Sequence, residues 1–340
     1  MEKVALITGI GGQDAAYLAK NLLEKGFKVI GTSRRSSADN LFRLKSLGIE
    51  NELEVLSADV QEYSRIQELV MNIKPTQFYN LAAQSFVADS FKSPIYTSLV
   101  NGTSVLNILE SIRLFSPETK FYQASTSEMF GESGSSFQNE KTIFHPRSPY
   151  ATSKAFAHYS VQNYREAYNL HAVSGILFNH ESPLRGEEFI TRKITLGLSK
   201  IFLGKQKILK VGNIYSKRDW GYAEDYVQAM WKMIQSKKPK DYVIATGKNY
   251  SVKQFINECV KILKLKTKWV GKGLNEKLIN LDNNKTIISI DKEFFRPSEV
   301  ENLKGNFFKA KKELNWTPKT NFSKLVKMMI KSDLDYVKKN

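Results

Sequence analysis

The opening of the chain narrows the choice of folds sharply. Lys3-Val-Ala-Leu-Ile-Thr8 is a strand-length apolar run, and a glycine-bearing turn follows it at once. Asp14 to Lys25 then carries apolar residues at 18, 19, 22 and 23, a helical spacing, before Gly26 stops it and Lys28–Ser33 begins the next apolar run. The alternation continues, with strands predicted at 54–57, 77–81, 120–124 and 172–178. Helices are predicted around 63–73, 95–115 and 150–168. Strands separated by helices need crossover connections, so they pair in parallel, with helices on both faces. The expectation is an α/β fold built on a doubly wound parallel sheet.

After Phe178 the pattern loosens, with Pro183, Gly186, Gly204, Gly212 and Gly221 breaking it into mixed segments. This predicts a smaller α/β substrate-binding domain from 179–214 plus 248–340, and a cofactor domain from 1–178 plus 215–247. The net charge of +17 falls entirely in the second half: residues 1–160 carry 16 basic and 16 acidic side chains, residues 161–340 carry 35 and 18. The lysines there are scattered, with no aromatic platform or nucleic-acid-binding signature among them. They are expected on solvated helix faces, so neither nucleic acid nor a membrane is an expected partner. No apolar run is long enough to span a bilayer. The start of the chain has too short an apolar core, and no cleavage site, for a signal peptide. The one cysteine, Cys259, lies in an amphipathic helix pattern over 251–263, where a buried hydrophobe is its expected role. The cytoplasm is the expected location.

In Thr8-Gly-Ile-Gly-Gly-Gln-Asp-Ala-Ala-Tyr-Leu18, Gly9 and Gly12 allow the tight turn and close backbone approach that a pyrophosphate requires. Gln13 and Asp14 open the helix, whose free N–H groups face the same anion. Such a turn between a first strand and a first helix is a dinucleotide signature, and the sheet is therefore expected to be of Rossmann type. The second strand ends in Gly31-Thr-Ser-Arg-Arg35. An acidic residue there would bind a ribose 2′-hydroxyl, whereas Arg34 and Arg35 would clamp a 2′-phosphate, so NADP is the expected cofactor. Asp59 and Val60, past the third strand, are placed to meet the adenine. Leu81, Ala83 and Ser85, past the fourth, are placed against the pyrophosphate and nicotinamide ribose.

Chemistry enters with Gln123-Ala-Ser-Thr-Ser-Glu-Met-Phe-Gly131 and Ser148-Pro-Tyr-Ala-Thr-Ser-Lys154. Tyr150 and Lys154 sit one helical turn apart, with Thr126 24 positions upstream of the tyrosine. A free tyrosine hydroxyl is a poor base at neutral pH, but a neighbouring positive charge favours its ionised form. Tyr150 can then take the proton of an alcohol as hydride leaves the same carbon, with Thr126 hydrogen-bonded to that oxygen. Glu128 implies more than hydride transfer, since a ketone acidifies the neighbouring C–H and a carboxylate there can remove it.

These strings resemble the extended short-chain dehydrogenase/reductases, and within them the GDP-mannose 4,6-dehydratase family, nearly end to end. The resemblance includes Tyr79-Asn-Leu-Ala82, Pro146-Arg-Ser-Pro-Tyr-Ala151, Gly175-Ile-Leu-Phe-Asn-His-Glu-Ser-Pro183, Thr191-Arg-Lys-Ile-Thr195, Arg218-Asp-Trp-Gly221 and Phe295-Arg-Pro-Ser-Glu299. It implies oxidation at C4 of a GDP-sugar, loss of water across C5 and C6, and return of the hydride to C6. Thr126, Glu128, Tyr150 and Lys154 would be the catalytic set. Tyr96, His180 and Arg185 join the implied NADP contacts. Ser127 and Asn179 are implied on the substrate, Lys193, Arg218 and Arg296 on its pyrophosphate, and Glu299 on guanine or its ribose. No metal is implied, and a homo-oligomer is. The chain departs from the family at Gly11, Ala15 and Ala16 in the first turn, and at Leu184, where the family usually has the first arginine of a pair. A dehydratase of another GDP-sugar such as a mannoheptose, a 4-keto-sugar reductase, and a non-catalytic NADP sensor or RNA-binding protein remain as alternatives. The reductase has no need of Glu128, and the sensor none of the four-residue set.

Overall fold

The computed structural model describes residues 3–37, 39–295, 298 and 300–339. Seven strands form one parallel sheet. In spatial order they are Tyr242–Ile244, Ala172–Leu177, Lys120–Thr126, Gln77–Asn80, Val4–Thr8, Lys28–Ser33 and Glu54–Ser57. The first strand thus pairs with the second on one side and the fourth on the other. Chain direction diverges there, which opens a crevice at the carboxyl ends of the strands. Most of the inner strands are buried on both faces, which is why runs such as Val4–Thr8 read as apolar; Gln77–Asn80 is also buried throughout.

One apolar core lies under the first helix, Gln13–Leu23, and the helix Ala223–Ile234. Another lies on the opposite face under Tyr63–Ile73, Ser104–Phe115 and Pro149–Ala167. Fully buried Phe78 and Phe121 belong to the latter, each stabilising the fold by about 2 kcal/mol relative to an exposed ring. A third core joins the helices Ile190–Phe202, Val252–Ile262 and Phe322–Lys339 to a four-stranded sheet of Thr267–Val270, Lys277–Asn280, Lys285–Ile290 and Leu209–Val211. Cys259 is fully buried in it. The two parts interleave, since Trp220 packs into the third core while Ala310 and Trp316 pack into the first.

One element departs from the expected helix over 95–115. It breaks into Pro94–Ser98, a wider π-type turn at Leu99–Thr103, and Ser104–Phe115. Buried Asn101 sits in that turn and exchanges two side-chain hydrogen bonds with the backbone of Gln84, each 2.9 Å. The loop after the fourth strand is thereby fixed from the side. Gly102 is also constrained, for a Cβ there would stand 3.0 Å from the Phe156 ring. Among the described residues no helix is long and apolar enough to cross a membrane.

Candidate active site

The crevice deepens into a cavity of about 580 Å³ between the two parts. Its first wall is the glycine-bearing turn. Gly9 has φ +71°, and a Cβ on it would lie 2.8 Å from the Cα of Ala82, so glycine is needed both for the backbone and for the approach of the next loop. Gly12 begins the first helix with no side chain capping it, which leaves the helix N–H groups open to the cavity. These features fit a pyrophosphate, and so a dinucleotide.

Asp14 and His180 form a buried pair across this wall, Oδ2 to Nε2 2.6 Å. The other ring nitrogen, Nδ1, faces the Phe178 carbonyl at 2.7 Å. Burial works against charge on either partner, but each outweighs it for the other: the His180 pKa is raised and that of Asp14 lowered. With an acceptor at each nitrogen, the imidazolium donates twice. The Gln13 amide turns away from the turn, donating to the His180 carbonyl at 3.2 Å and accepting from Ser182 at 2.7 Å.

The reacting end is built where the fifth strand meets the helix Pro149–Ala167. That strand runs to Thr126, two residues beyond its expected end, and passes into a short turn over Ser127–Met129. Thr126 caps the turn by accepting from the Glu128 N–H at 3.2 Å. Ser148 caps the long helix through Ala151 N–H at 3.1 Å, and Pro149 occupies its first turn. This start places Tyr150 over Thr126, which hydrogen-bonds the phenol. Burial pushes Tyr150 up to about 12; the Thr126 bond opposes that, and the nearby charge of Glu128 adds to it. Lys154 is pushed down to about 8 by burial and donates to the Ala124 carbonyl at 3.0 Å. Glu128 is buried, with Arg218 Nε 3.7 Å from its Oε1. Arg218, expected on the substrate pyrophosphate, thus has its guanidinium beside Glu128 in the cavity wall. It also donates to the Val300 carbonyl at 2.6 Å.

The cavity gathers Gly9, Gly12, Gln13, Asp14, Leu81, Ala83, Ser85, Thr126, Ser127, Glu128, Tyr150, Lys154, Asn179, His180, Arg185, Lys193 and Arg218. Lys193 Nζ lies 3.2 Å over the Phe294 ring, with its pKa lowered by burial against the charges of Glu293 and Asp291. Arg34, Arg35, Asp59, Val60 and Tyr96 lie outside the cavity lining. Arg34 and Tyr96 do meet, Nη1 to hydroxyl 2.7 Å. Asp59 accepts from the Gln61 N–H at 3.0 Å, and Val60 is buried. Arg296 and Glu299 fall outside the described residues. No cluster of three or more His, Cys, Asp or Glu side chains is placed to hold a metal ion among the described residues.

Sequence reasoning passed over several lining residues. Among them, Ser216 brings a buried oxygen without a protein partner to the wall, and Phe294 and Phe295 close the far end. Nothing in their local pattern marks them. Asn101 was findable, because an Asn-Gly pair within an apolar helix signals a break.

Comparison with known proteins agrees with this geometry. Residues 6–329 match the model of the family described as GDP-mannose 4,6 dehydratase. The chain is 48% identical to GDP-mannose 4,6 dehydratase 1 of Arabidopsis thaliana, over 99% of this chain and 91% of that protein. It is 46% identical to GDP-mannose 4,6 dehydratase of Drosophila melanogaster, over 100% and 88%. Among solved structures, UDP-glucose 4-epimerase of Thermotoga maritima superimposes with a TM-score of 0.82 at 21% identity, covering 98% of this chain and 99% of that one. The dTDP-glucose 4,6-dehydratase of Bacillus anthracis gives 0.80 at 19%, covering 97% and 96%.

Proposed function

The chain belongs to the GDP-mannose 4,6-dehydratase family, and we propose that it carries out that reaction, converting GDP-mannose to GDP-4-keto-6-deoxymannose with NADP recycled. The observation that carries the reading is the convergence of Thr126, Glu128 and Tyr150 at one buried end of the cavity, under a cradle for a dinucleotide.

Tyr150 takes the proton of the sugar 4-hydroxyl, and Thr126 hydrogen-bonds the same oxygen. The bound nicotinamide supplies the hydride acceptor for C4 and later the hydride donor for C6. Lys154, one turn along the helix, keeps a positive charge near the developing phenolate. Glu128 removes the C5 proton of the resulting ketone and passes a proton to the departing 6-hydroxyl. The Arg218 guanidinium stands 3.7 Å from that carboxylate. The proton released at the 4-hydroxyl balances the one gained at C5, so one water is the only net loss. Lys193, Asn179 and Ser216 line the way from this end to the aromatic far wall, where the nucleotide half of the substrate fits.

Mass spectrometry of GDP-mannose incubated with the protein and trace NADP⁺ tests the proposal. A product lighter by one water, about 18 Da, in large excess over cofactor is expected from a cycle in which one group only lends hydride. Unchanged GDP-mannose with a cofactor-loaded protein would move the assignment to another GDP-sugar.

The choice of NADP rests on Arg34 and Arg35 at the end of the second strand. Arg34 is steadied by the Tyr96 hydroxyl, and Arg35 is exposed beside it. Arg35→Ala is expected to weaken NADP⁺ binding roughly tenfold, as loss of a charge-assisted contact would, and to leave NAD⁺ binding nearly unchanged. Equal losses for the two cofactors, measured by titration, would count against a 2′-phosphate clamp.

A further inference from the structure

The loop 182–186 connects the strand end at His180 to the helix Ile190–Phe202, and its Arg185 lines the cavity. Arginines hold its carbonyls from two sides. Arg43 donates through Nε to the Leu184 carbonyl at 2.7 Å and through Nη1 to the Gly11 carbonyl at 2.8 Å, tying the loop to the glycine-bearing turn. From the other side Arg192 Nη1 donates to the carbonyls of both Pro183 and Arg185. Arg192 forms an ion pair with Asp333, a fully buried carboxylate on the C-terminal helix Phe322–Lys339, with Oδ1 2.6 Å from Nε but outside hydrogen-bond geometry. Arg185 itself stacks 3.6 Å over Phe189 and pairs with Glu181 at 3.1 Å. Its backbone is held by Arg192, whose Nε faces Asp333.

We propose that Asp333 is a positioning residue for the cofactor site. It orients Arg192, which fixes the backbone of the loop that presents Arg185 to the dinucleotide. The proposal rests on the functional reading above, because it needs a nicotinamide dinucleotide in the cavity. The physical case is that Asp333 is the only side chain on the C-terminal helix shown paired with Arg192 among the described residues. A planar guanidinium serves two carbonyls in one loop only while its own orientation is fixed. An asparagine would leave a buried cation with a weaker, neutral partner, and the Nη1 donors would turn away from Pro183 and Arg185. The third core, to which this helix belongs, would then be coupled to cofactor affinity through a single ion pair.

The test is a double-mutant cycle in the full chain, reading NADPH affinity by fluorescence titration and GDP affinity by calorimetry. Asp333→Asn is expected to weaken NADPH roughly tenfold, with GDP affinity and kcat at saturating cofactor within about twofold of wild type, as a displaced contact far from the chemistry would. In an Arg185→Ala background the same change is expected to cost nothing further, because its effect passes through Arg185. Arg192→Lys keeps a cation opposite Asp333 but cannot serve both carbonyls; it carries the same expectation and replaces Asp333→Asn should that variant not fold. Losses that add with Arg185→Ala, parallel losses for NADPH and GDP, or an unchanged NADPH constant would each overturn the inference. Failure of the wild type to bind NADPH or NADH would instead defeat the functional reading, and this inference with it.

Discussion

Glu128→Gln is expected to lower the rate of dehydration roughly a thousandfold while leaving cofactor and GDP binding intact, since it removes the general base while keeping the side chain's size. Glutamine fills the same space between Thr126 and Arg218 but cannot accept the C5 proton. The variant should still oxidise C4. Glu128 is among the charges that push Tyr150 up, so losing it eases formation of the phenolate. One equivalent of reduced cofactor should therefore accumulate per active site, with the sugar held as the 4-ketone. Exchange of the C5 hydrogen with deuterated solvent should be lost at the same time. Both readouts separate a missing base from a damaged site, because damage would abolish the burst of reduced cofactor as well. Dehydration near the wild-type rate would remove Glu128 from this role.

How far the sequence reached depends on which partners each residue has. Six of the seven parallel strands were legible to within two residues, because strands such as Val4–Thr8 are almost wholly buried and read as apolar runs, whereas the short edge strand Tyr242–Ile244 was not predicted. The fifth strand was cut short for the converse reason. Its last residues are Ser125 and Thr126, which look like loop until His158 at 3.0 Å from Ser125 and Tyr150 over Thr126 are known. The proposed catalytic set could be named from sequence because Tyr150 and Lys154 are local neighbours on one helix. Glu128 follows Thr126 closely enough for one turn to hold both.

The arginine clamp was not legible. Arg43 reaches a carbonyl 141 positions away in the chain, Asp333 lies on a helix that nothing in the loop anticipates, and carbonyl acceptors carry no residue signature. The departure at Leu184 illustrates the point. In the sequence it reads as a lost cation, whereas the structure uses Leu184 as a buried apolar anchor whose carbonyl receives Arg43.

Tyr150→Phe is expected to reduce turnover by roughly a thousandfold and, unlike Glu128→Gln, to give no reduced cofactor at all, because the first proton has nowhere to go. Buried at about 12 in the protein alone, the phenol depends on nearby positive charge to ionise; Arg185 lowers it, and by the proposed mechanism Lys154, one turn along the helix, adds its own charge. Burial has set the Lys154 ammonium at about 8. An amine carries its charge below its pKa, so this support is present at pH 7 and is lost as the pH rises through about 8. The wild-type rate of C4 oxidation should accordingly fall on the alkaline side of pH 8, where a free tyrosine base would still be gaining activity. Lys154→Arg keeps its charge throughout that range, and at whatever lower rate it works, its profile should lack the alkaline limb. An identical limb in wild type and Lys154→Arg would assign that ionisation to another group, and would leave Tyr150 without its electrostatic support from Lys154.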